Sequence, residues 1–166
     1  MSPAPLRLGL AGLGTVGIGV VKIVQAHADL IAARAGRPVV ITAVSARDRG
    51  KTRDADLSAY AWETDPVALA KRPDIDLFIE VMGGHEGAAK QATEAAIAAG
   101  KHVVSANKAL LAHHGQALAV AAEAAGLALR FEAAVAGGIP VIKALTEGLA
   151  GNRMKRVMGV MNGSCN

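Results

Sequence analysis

A chain of 166 residues has the length of about one domain and can bury roughly two-thirds of the surface that its unfolded form exposes. Hydrophobic residues make up 52% of the sequence but aromatic residues only 2%, so the core has to be built from Ala, Val, Ile and Leu, as in helices that lie on a parallel sheet. The single cysteine excludes an internal disulfide and favours a reducing, cytoplasmic compartment, no apolar run approaches the ~20 residues of a membrane span, and the net charge of +4 suits an anionic small ligand better than nucleic acid.

Strands and helices are predicted to alternate along the chain. Short runs of apolar and β-branched residues bounded by turn signals predict strands at 6–11, 39–44, 76–81, 102–105, 127–133 and 154–161. Apolar residues at helical spacing, Ala-rich stretches and terminal Pro or Gly signals predict helices at 16–28, 66–71, 86–99, 116–125 and 140–149.

This alternation predicts an α/β fold of the doubly wound, Rossmann type. Short turns between strands and helices imply right-handed crossovers and a parallel sheet covered on both faces, which makes three α/β/α layers. Ligands of such sheets bind at the carboxyl ends of the strands. The candidate site residues are therefore those of the turns that follow the strands, at Gly12, Arg47, Gly83, Asn107 and Gly137.

The first of these turns has the GxGxxG pattern of a dinucleotide site. It follows a predicted strand and opens a predicted helix, the context that gives the pattern its meaning. Gly12 permits a tight turn, Gly14 lets a pyrophosphate approach the backbone, and Gly17 lets the helix pack on the strand. The candidate pyrophosphate-binding residues are Gly12, Leu13, Gly14, Thr15, Val16 and Gly17.

The turn after the second strand bears on the choice between NAD and NADP. No carboxylate stands at the strand tip, and cations follow it closely, with Arg47 as the candidate for the 2′-phosphate and Lys51 as its helper. NADP is therefore favoured over NAD. The alternative is an ordinary solvated loop in which Asp48 reaches the ribose hydroxyls.

The turn after the 102–105 strand carries Ser105, Ala106 and Lys108 where the nicotinamide end of a dinucleotide belongs. A lysine there can donate to a substrate carbonyl or a ribose hydroxyl and stabilise negative charge that develops during hydride transfer. An equally good interpretation from position alone makes Asn107 a helix cap and leaves Lys108 solvated. In the 132–140 loop, inward carbonyls can hold a hard cation, but the Gly137–Gly138 pair favours a plain turn.

Five segments in order resemble homoserine dehydrogenases and together span nearly the whole chain. They are GLAGLGTVG at 9–17, IEVMGG at 79–84, VVSANK at 103–108, FEAAVAGGIP at 131–140 and MGVMNGSCN at 158–166. The family interconverts L-homoserine and L-aspartate 4-semialdehyde with NADPH or NADH, on the route to threonine and methionine. The resemblance thus implies an NAD(P)-dependent oxidoreductase that acts on this small-molecule substrate as a homodimer.

The resemblance also implies roles for single residues. Lys108 matches the family's lysine beside the nicotinamide and becomes the candidate catalytic residue. Gly83 and Gly84 join the cofactor-binding set, and Arg47 matches a phosphate-binding arginine of NADP-using members. A sodium ion is implied at positions that bind it mostly through backbone oxygens in the family, namely Glu132, Val135, Gly137 and Ile139.

One departure limits these implications. The chain ends at Asn166, inside the last motif, and has Ser164 where the family has threonine. The glutamate, aspartate and lysine that bind homoserine and donate the proton would lie beyond this point. We therefore expect a Rossmann domain at 1–150, the start of a substrate domain at 151–166, and cofactor binding with little or no turnover. A free-standing NADP-binding sensor and another semialdehyde or dihydrodipicolinate-type reductase are the alternatives.

Overall fold

Six short strands pair into one parallel sheet in the computed structural model, which describes residues 3–159. The strands are β1 Leu6–Ala11, β2 Val39–Ser45, β3 Ala61–Glu63, β4 Leu77–Glu80, β5 His102–Ser105 and β6 Leu129–Arg130. Their order is β3-β2-β1-β4-β5-β6, and every neighbouring pair is parallel. This order reverses direction between β1 and β4, where doubly wound sheets bind their ligands. The predicted fold class is confirmed.

Helices connect the strands and cover the sheet. They are α1 Thr15–Ala26, α2 Ala28–Ala35, α3 Pro66–Ala70, α4 Ala88–Ala98, α5 Lys108–Ala124 and α6 Val141–Lys143. A 3-10 turn at Glu132–Ala134 precedes α6, and a π-helical segment at Ala144–Gly148 continues from it. No single helix within residues 3–159 is long and apolar enough to cross a membrane; α1 and α2 together pass on length and composition alone, with a bend of 84° between them.

Two apolar clusters, one on each face of the sheet, hold the layers together. Side chains alternate between the faces of a strand, so the neighbours Phe78 and Ile79 of β4 belong to different clusters. The first cluster includes Leu110 of α5 and the small residues of α4, whose alanines let the helix lie close to the strands. The second includes Val21 of α1 and Leu10 of β1, both with no exposed surface.

The structure differs from the prediction at several elements, among them helix α2, which was not predicted. Strand β3 was not predicted, because three half-buried residues carry too little alternation to be recognised. Helix α5 begins at Lys108 rather than 116, since the side chain of Asn107 accepts a hydrogen bond from the Leu110 N–H and caps it. The predicted 127–133 strand shortens to Leu129–Arg130 before the 3-10 turn.

The predicted final strand at 154–161 is wrong for the residues that the structure describes. Residues 153–159 form no strand. Met158 is 80% exposed there, and a strand of such exposed apolar residues would need a neighbouring strand to pair with. Positions 160–166, which include Ser164 and Cys165, lie outside the described residues.

Candidate functional site

The carboxyl ends of β1, β2 and β4 open into one cleft of about 580 Å³. Its walls come mainly from the turns that follow these strands, together with Thr64 and Pro66 after β3 and the first residues of α4. Six of the predicted cofactor-binding residues line it: Gly12, Leu13, Gly14, Arg47, Lys51 and Gly83. The cleft therefore lies at the reversal of strand order, where the sequence pattern predicts the dinucleotide.

Two glycines of the first turn have no room for a side chain. Gly12 has φ +104°, and a Cβ there would lie 2.7 Å from the carbonyl oxygen of Val81, which follows β4. A Cβ on Gly17 would lie 1.9 Å from the carbonyl oxygen of Gly12. Helix α1 therefore rests directly on the turn. Gly14, by contrast, would carry a Cβ with no heavy atom within 4 Å of it, so its backbone is open to a ligand.

The N-terminus of α1 points its positive end at this cleft wall. The N–H groups of Thr15, Val16 and Gly17 belong to the first turn, where no intrahelical acceptor exists. Gly14 caps the helix without a side-chain hydrogen bond, and the first turn contains no acidic residue. No side chain of the first turn thus competes with an anion for these donors, and the helix dipole favours one.

In the loop after β2, the side chain of Asp48 is exposed, lines the cleft and bonds the backbone of its own loop. Its Oδ1 accepts hydrogen bonds from the N–H groups of Gly50 at 2.8 Å and Lys51 at 3.2 Å. These bonds close a tight turn of the kind that aspartate commonly makes. Arg47 and Lys51 are exposed and line the cleft on either side of that turn.

Arg53 donates hydrogen bonds to backbone carbonyls of this loop and of the glycine turn. Its Nη2 donates to the Asp48 carbonyl at 2.7 Å, its Nη1 to the Lys51 carbonyl at 2.9 Å, and its Nε to the Leu13 carbonyl at 3.4 Å. The guanidinium also lies over the ring of Trp62, 5.3 Å from the ring centroid. Arg53 itself lines the cleft, although the sequence did not single it out.

Positive charge predominates at the cleft. Three of its lining residues are cations and two are acids. One of the acids, Glu86, lies 2.7 Å from the His114 ring nitrogen and 3.6 Å from Lys90 Nζ. The hydrogen bond from His114 and the charge of Lys90 lower the pKa of Glu86. An anion entering the cleft meets mainly the cations of the 47–53 loop.

A buried polar network joins β4 to β5 beside the cleft. Glu80 Oε2 accepts a hydrogen bond from Ser105 Oγ at 2.6 Å, and Oε1 accepts from the Met82 N–H at 2.8 Å. Asn107 Nδ2 donates to Glu80 Oε1 at 3.3 Å and to the Gly84 carbonyl at 2.6 Å. Glu80 and Ser105 have no exposed surface, and Asn107 is 6% exposed.

The carboxyl group of Glu80 is an acid buried without an ion pair in the described part of the chain. Burial raises its pKa, while the hydrogen bonds from Ser105, Met82 and Asn107 act in the opposite direction. Sequence reasoning missed this residue. The available signal was a lone acid at the end of an apolar strand, a position that calls for buried partners.

The predicted nicotinamide end is built on this network. Lys108 is the first residue of α5, directly after the cap Asn107, and its side chain is exposed. Ala106 is half-buried, and the Ser105 hydroxyl faces Glu80. None of these three lines the 580 Å³ cleft, nor does Gly84, whose φ of +86° shapes the adjoining turn. Their contact with a cofactor stays a prediction.

Oxygen atoms of the predicted cation loop already accept hydrogen bonds from other groups of the protein. The Glu132 carboxylate accepts from the N–H groups of Ile142 at 3.0 Å and Lys143 at 2.8 Å at the start of α6. The carbonyl of Glu132 accepts from Val135, and that of Ile139 from Val141. No group of three or more His, Cys, Asp or Glu side chains suited to a metal occurs in residues 3–159. Gly137 stands in the same loop, and a site made of backbone oxygens stays a prediction.

A larger cavity of about 850 Å³ lies along β6, between α5 and the segment that contains α6. Glu132 and Lys143 are among its charged lining residues, and it contains no part of the glycine turn. The smaller cleft is the better candidate for a dinucleotide because helix N-terminus, backbone donors and cations meet there.

Comparison with known proteins identifies what the chain resembles. The family model described as homoserine dehydrogenase, NAD binding domain, matches residues 12–132. The homoserine dehydrogenase of Neisseria gonorrhoeae is 46% identical over 98% of this chain and 37% of its own length. That of Bacillus subtilis is 45% identical over 97% of this chain and 37% of its own length.

Solved structures agree with these relatives. A homoserine dehydrogenase from Thiobacillus denitrificans superposes with a TM-score of 0.83 at 43% identity, over 90% of this chain and 34% of that one. A homoserine dehydrogenase from S. aureus gives a TM-score of 0.74 at 40% identity, over 81% of this chain and 33% of that one. The chain therefore spans little more than a third of the length of the proteins that it matches.

Proposed function

This chain belongs to the family of homoserine dehydrogenase NAD-binding domains, and we propose that its cleft binds NADP. Family membership makes the cofactor a nicotinamide dinucleotide. The glycine turn takes the pyrophosphate, with the first N–H groups of α1 as donors. The adenosine end then runs toward Arg47 and Lys51, and the nicotinamide end toward Ser105 and Lys108. NAD stays the alternative cofactor.

The preference for NADP rests on the shape of the 47–53 loop. A 2′-phosphate needs cations, whereas a 2′-hydroxyl needs a carboxylate that can accept its hydrogen bond. Arg47, Lys51 and Asp48 all line the cleft, and Oδ1 of Asp48 already accepts hydrogen bonds from the N–H groups of Gly50 and Lys51. The excess of cations at the cleft, where Arg47, Lys51 and Arg53 stand against two acids, is the observation that carries the proposal.

The reaction that we propose for this family member is the interconversion of L-homoserine and L-aspartate 4-semialdehyde, in the synthesis of threonine and methionine. The bound dinucleotide supplies or accepts the hydride. In this proposal Lys108, the exposed first residue of α5, holds a substrate or ribose oxygen at the carboxyl end of β5. The buried Glu80–Ser105–Asn107 network holds that end of the strand in place.

Further parts of the proposal follow the family resemblance. Residues 1–150 form the cofactor domain and 151–166 begin the substrate-binding part, the enzyme acts as a homodimer in the cytoplasm, and a sodium ion binds at the 132–139 loop. The ion rests on the resemblance alone.

Titration of the protein with NADPH and NADH tests the cofactor proposal. Arg47→Ala is expected to weaken NADPH binding roughly 10- to 150-fold, the equivalent of about 1.5–3 kcal/mol for a hydrogen bond to a charged group. NADH affinity should change little. Arg49→Ala is the matched control, since it removes the same charge from the same loop at a residue that does not line the cleft. Equal NADPH affinity in wild type and Arg47→Ala would contradict the assignment.

Turnover is tested by following nicotinamide absorbance with L-homoserine and NADP⁺ or NAD⁺, and separately with L-aspartate 4-semialdehyde and NADPH. The proposed substrate predicts that any turnover, by this chain or by a chain extended to the relatives' length, is confined to this pair. Equal activity with unrelated semialdehydes would favour another reductase. Tight NADPH binding by an extended chain that turns over no substrate would favour a sensor.

A further inference from the structure

We propose that Arg53 is a positioning residue that sets the preference for NADP over NAD by holding the 47–53 loop in its phosphate-binding shape. This inference rests on the proposed function of the cleft. Arg53 is half-buried, whereas Arg47 and Lys51, which would touch the 2′-phosphate, are exposed. Exposed cations on a short loop bind an anion well only if the backbone beneath them is already in place.

The guanidinium of Arg53 supplies that backbone order. It donates to the carbonyl oxygens of Asp48 and Lys51, which lie at the two sides of the turn. The Asp48 side chain closes the same turn from within, through the N–H groups of Gly50 and Lys51. The turn is thus fixed at both its carbonyl and its N–H groups. A planar fork of several donors can do this, and an ammonium group cannot reproduce the geometry.

The sheet anchors Arg53 in turn. The guanidinium lies 5.3 Å from the centroid of the Trp62 ring, a distance at which a cation and an aromatic face attract each other. Trp62 belongs to β3, and its backbone is in register with Val44 of β2. The pairing of β2 with β3 therefore fixes Trp62, and the Trp62 ring helps to fix Arg53 and the loop that Arg53 holds.

Arg53 also links the two ends of the adenosine site. Its Nε lies 3.4 Å from the carbonyl oxygen of Leu13 in the glycine turn. The pyrophosphate turn and the 2′-phosphate loop thus share one side chain. The glycine turn, however, is held independently by the backbone packing of Gly12 and Gly17. Loss of Arg53 should consequently disorder the loop and leave the turn, so that NADPH loses affinity and NADH keeps it.

Arg49 provides a matched control for this idea. It lies on the same loop and over the same Trp62 ring, at 5.9 Å, with the same charge. Its side chain makes no hydrogen bond to the loop carbonyls that Arg53 holds, and it does not line the cleft. Changing Arg49 removes a charge and a ring contact, while changing Arg53 removes the carbonyl bonds as well.

The test measures dissociation constants of NADPH, NADH, 2′,5′-ADP and 5′-AMP for wild type, Arg53→Lys, Arg53→Met and Arg49→Met. Both Arg53 variants are expected to weaken NADPH and 2′,5′-ADP on the order of tenfold, the loss expected when a binding loop must be ordered by its ligand. NADH and 5′-AMP should change less than about twofold in both. Arg49→Met should leave all four within about twofold.

Separate outcomes overturn the inference and the proposed function. Wild type that binds NADH as tightly as NADPH overturns the NADP preference itself. Wild type that prefers NADPH, with the same preference in Arg53→Met, overturns only the role of Arg53. An Arg53→Lys variant with wild-type preference shows that charge suffices and also overturns the positioning role. Thermal unfolding of each variant identifies a general loss of folding, which would weaken all four ligands alike.

Discussion

Replacement of Glu80 by alanine is expected to destabilise the domain more than its single side chain suggests. The carboxylate is fully buried and accepts hydrogen bonds from Ser105, Met82 and Asn107. In Glu80→Ala the Ser105 hydroxyl and the Met82 N–H lose their acceptor inside the protein. The Asn107 amide keeps its bond to the Gly84 carbonyl at 2.6 Å.

The magnitude follows from the two orphaned donors. A buried donor left without a partner costs about 1–3 kcal/mol, in full for the Ser105 hydroxyl and less for the Met82 N–H, which is half-buried, so the pair costs about 2–5 kcal/mol. Removal of a buried carboxylate that has no cation offsets part of this cost. We expect a net loss of about 3 kcal/mol in the free energy of unfolding, a large share of the ~5–15 kcal/mol typical of a domain.

Urea unfolding followed by circular dichroism measures this loss. Thr93→Val is the control, because Thr93 is equally buried but its hydroxyl bonds only the Ala89 carbonyl in its own helix, at 2.8 Å. It should cost about 1 kcal/mol. Ser105→Ala combined with Glu80→Ala should cost less than the sum of the two single changes, since both break the same bond. A Glu80→Ala protein as stable as Thr93→Val would refute the reasoning.

The pH dependence of Glu80→Gln gives an independent check. Burial raises the pKa of Glu80 in the folded state, so the folded protein holds this proton to higher pH than the unfolded chain does. As pH rises above the ordinary glutamate pKa, the unfolded chain releases the proton first, and wild type loses stability. Glu80→Gln cannot titrate. The stability of wild type relative to this variant should therefore fall as pH rises through that window, and a constant difference would contradict it.

Two further predictions concern the glycine turn and the amino-terminal ends of the central strands β1 and β4. Gly17→Ala should lower the free energy of unfolding by about 2–4 kcal/mol and abolish dinucleotide binding, because its Cβ would lie 1.9 Å from the Gly12 carbonyl oxygen. The control is Gly19→Ala in the same helix, whose Cβ would have nothing within 4 Å. It should raise the free energy of unfolding by about 0.5–1 kcal/mol. The Arg7 hydrogen bond lowers the pKa of Asp76 to about 2, so wild type should lose stability as pH falls from about 4 toward 2, and Asp76→Asn should show a shallower loss in acid unfolding.

Those parts of the fold that depend on local pattern could be predicted from the sequence. The β1 and β5 bounds were predicted to the residue, because buried apolar runs end there at turn residues. The start of α5 was not, since its first half contains His113, His114 and Gly115, which obscure the apolar spacing. Only the Asn107 cap marks the true beginning. The last predicted strand failed because its apolar residues lie exposed in residues 153–159.

In the candidate site, too, a local sequence pattern marks some residues, whereas others are joined only by long-range contacts. The glycine turn is recognised from its local pattern, and Gly17 is required by the nearby Gly12 carbonyl, although Gly12 itself packs on the distant Val81 carbonyl after β4. The contacts of Glu80 and Arg53 are not local. Glu80 meets Asn107 across 27 residues, and Arg53 meets the Leu13 carbonyl across 40. No spacing rule connects such positions, and only the folded sheet brings them together.

Binding of the dinucleotide and the preference for NADP or NAD depend on different residues. The pyrophosphate turn allows no Cβ at Gly12 or Gly17, so a change there disturbs the packing of α1 on the sheet. The residues proposed to read the 2′-phosphate stand on an exposed loop, where substitutions usually alter stability by no more than about 0.5 kcal/mol. Arg53 is the connection between the two, since it contacts the glycine turn and the loop at once. Preference for NADP or NAD can therefore change through Arg47, Lys51 or Arg53, while the glycine turn keeps its shape through the backbone packing of Gly12 and Gly17.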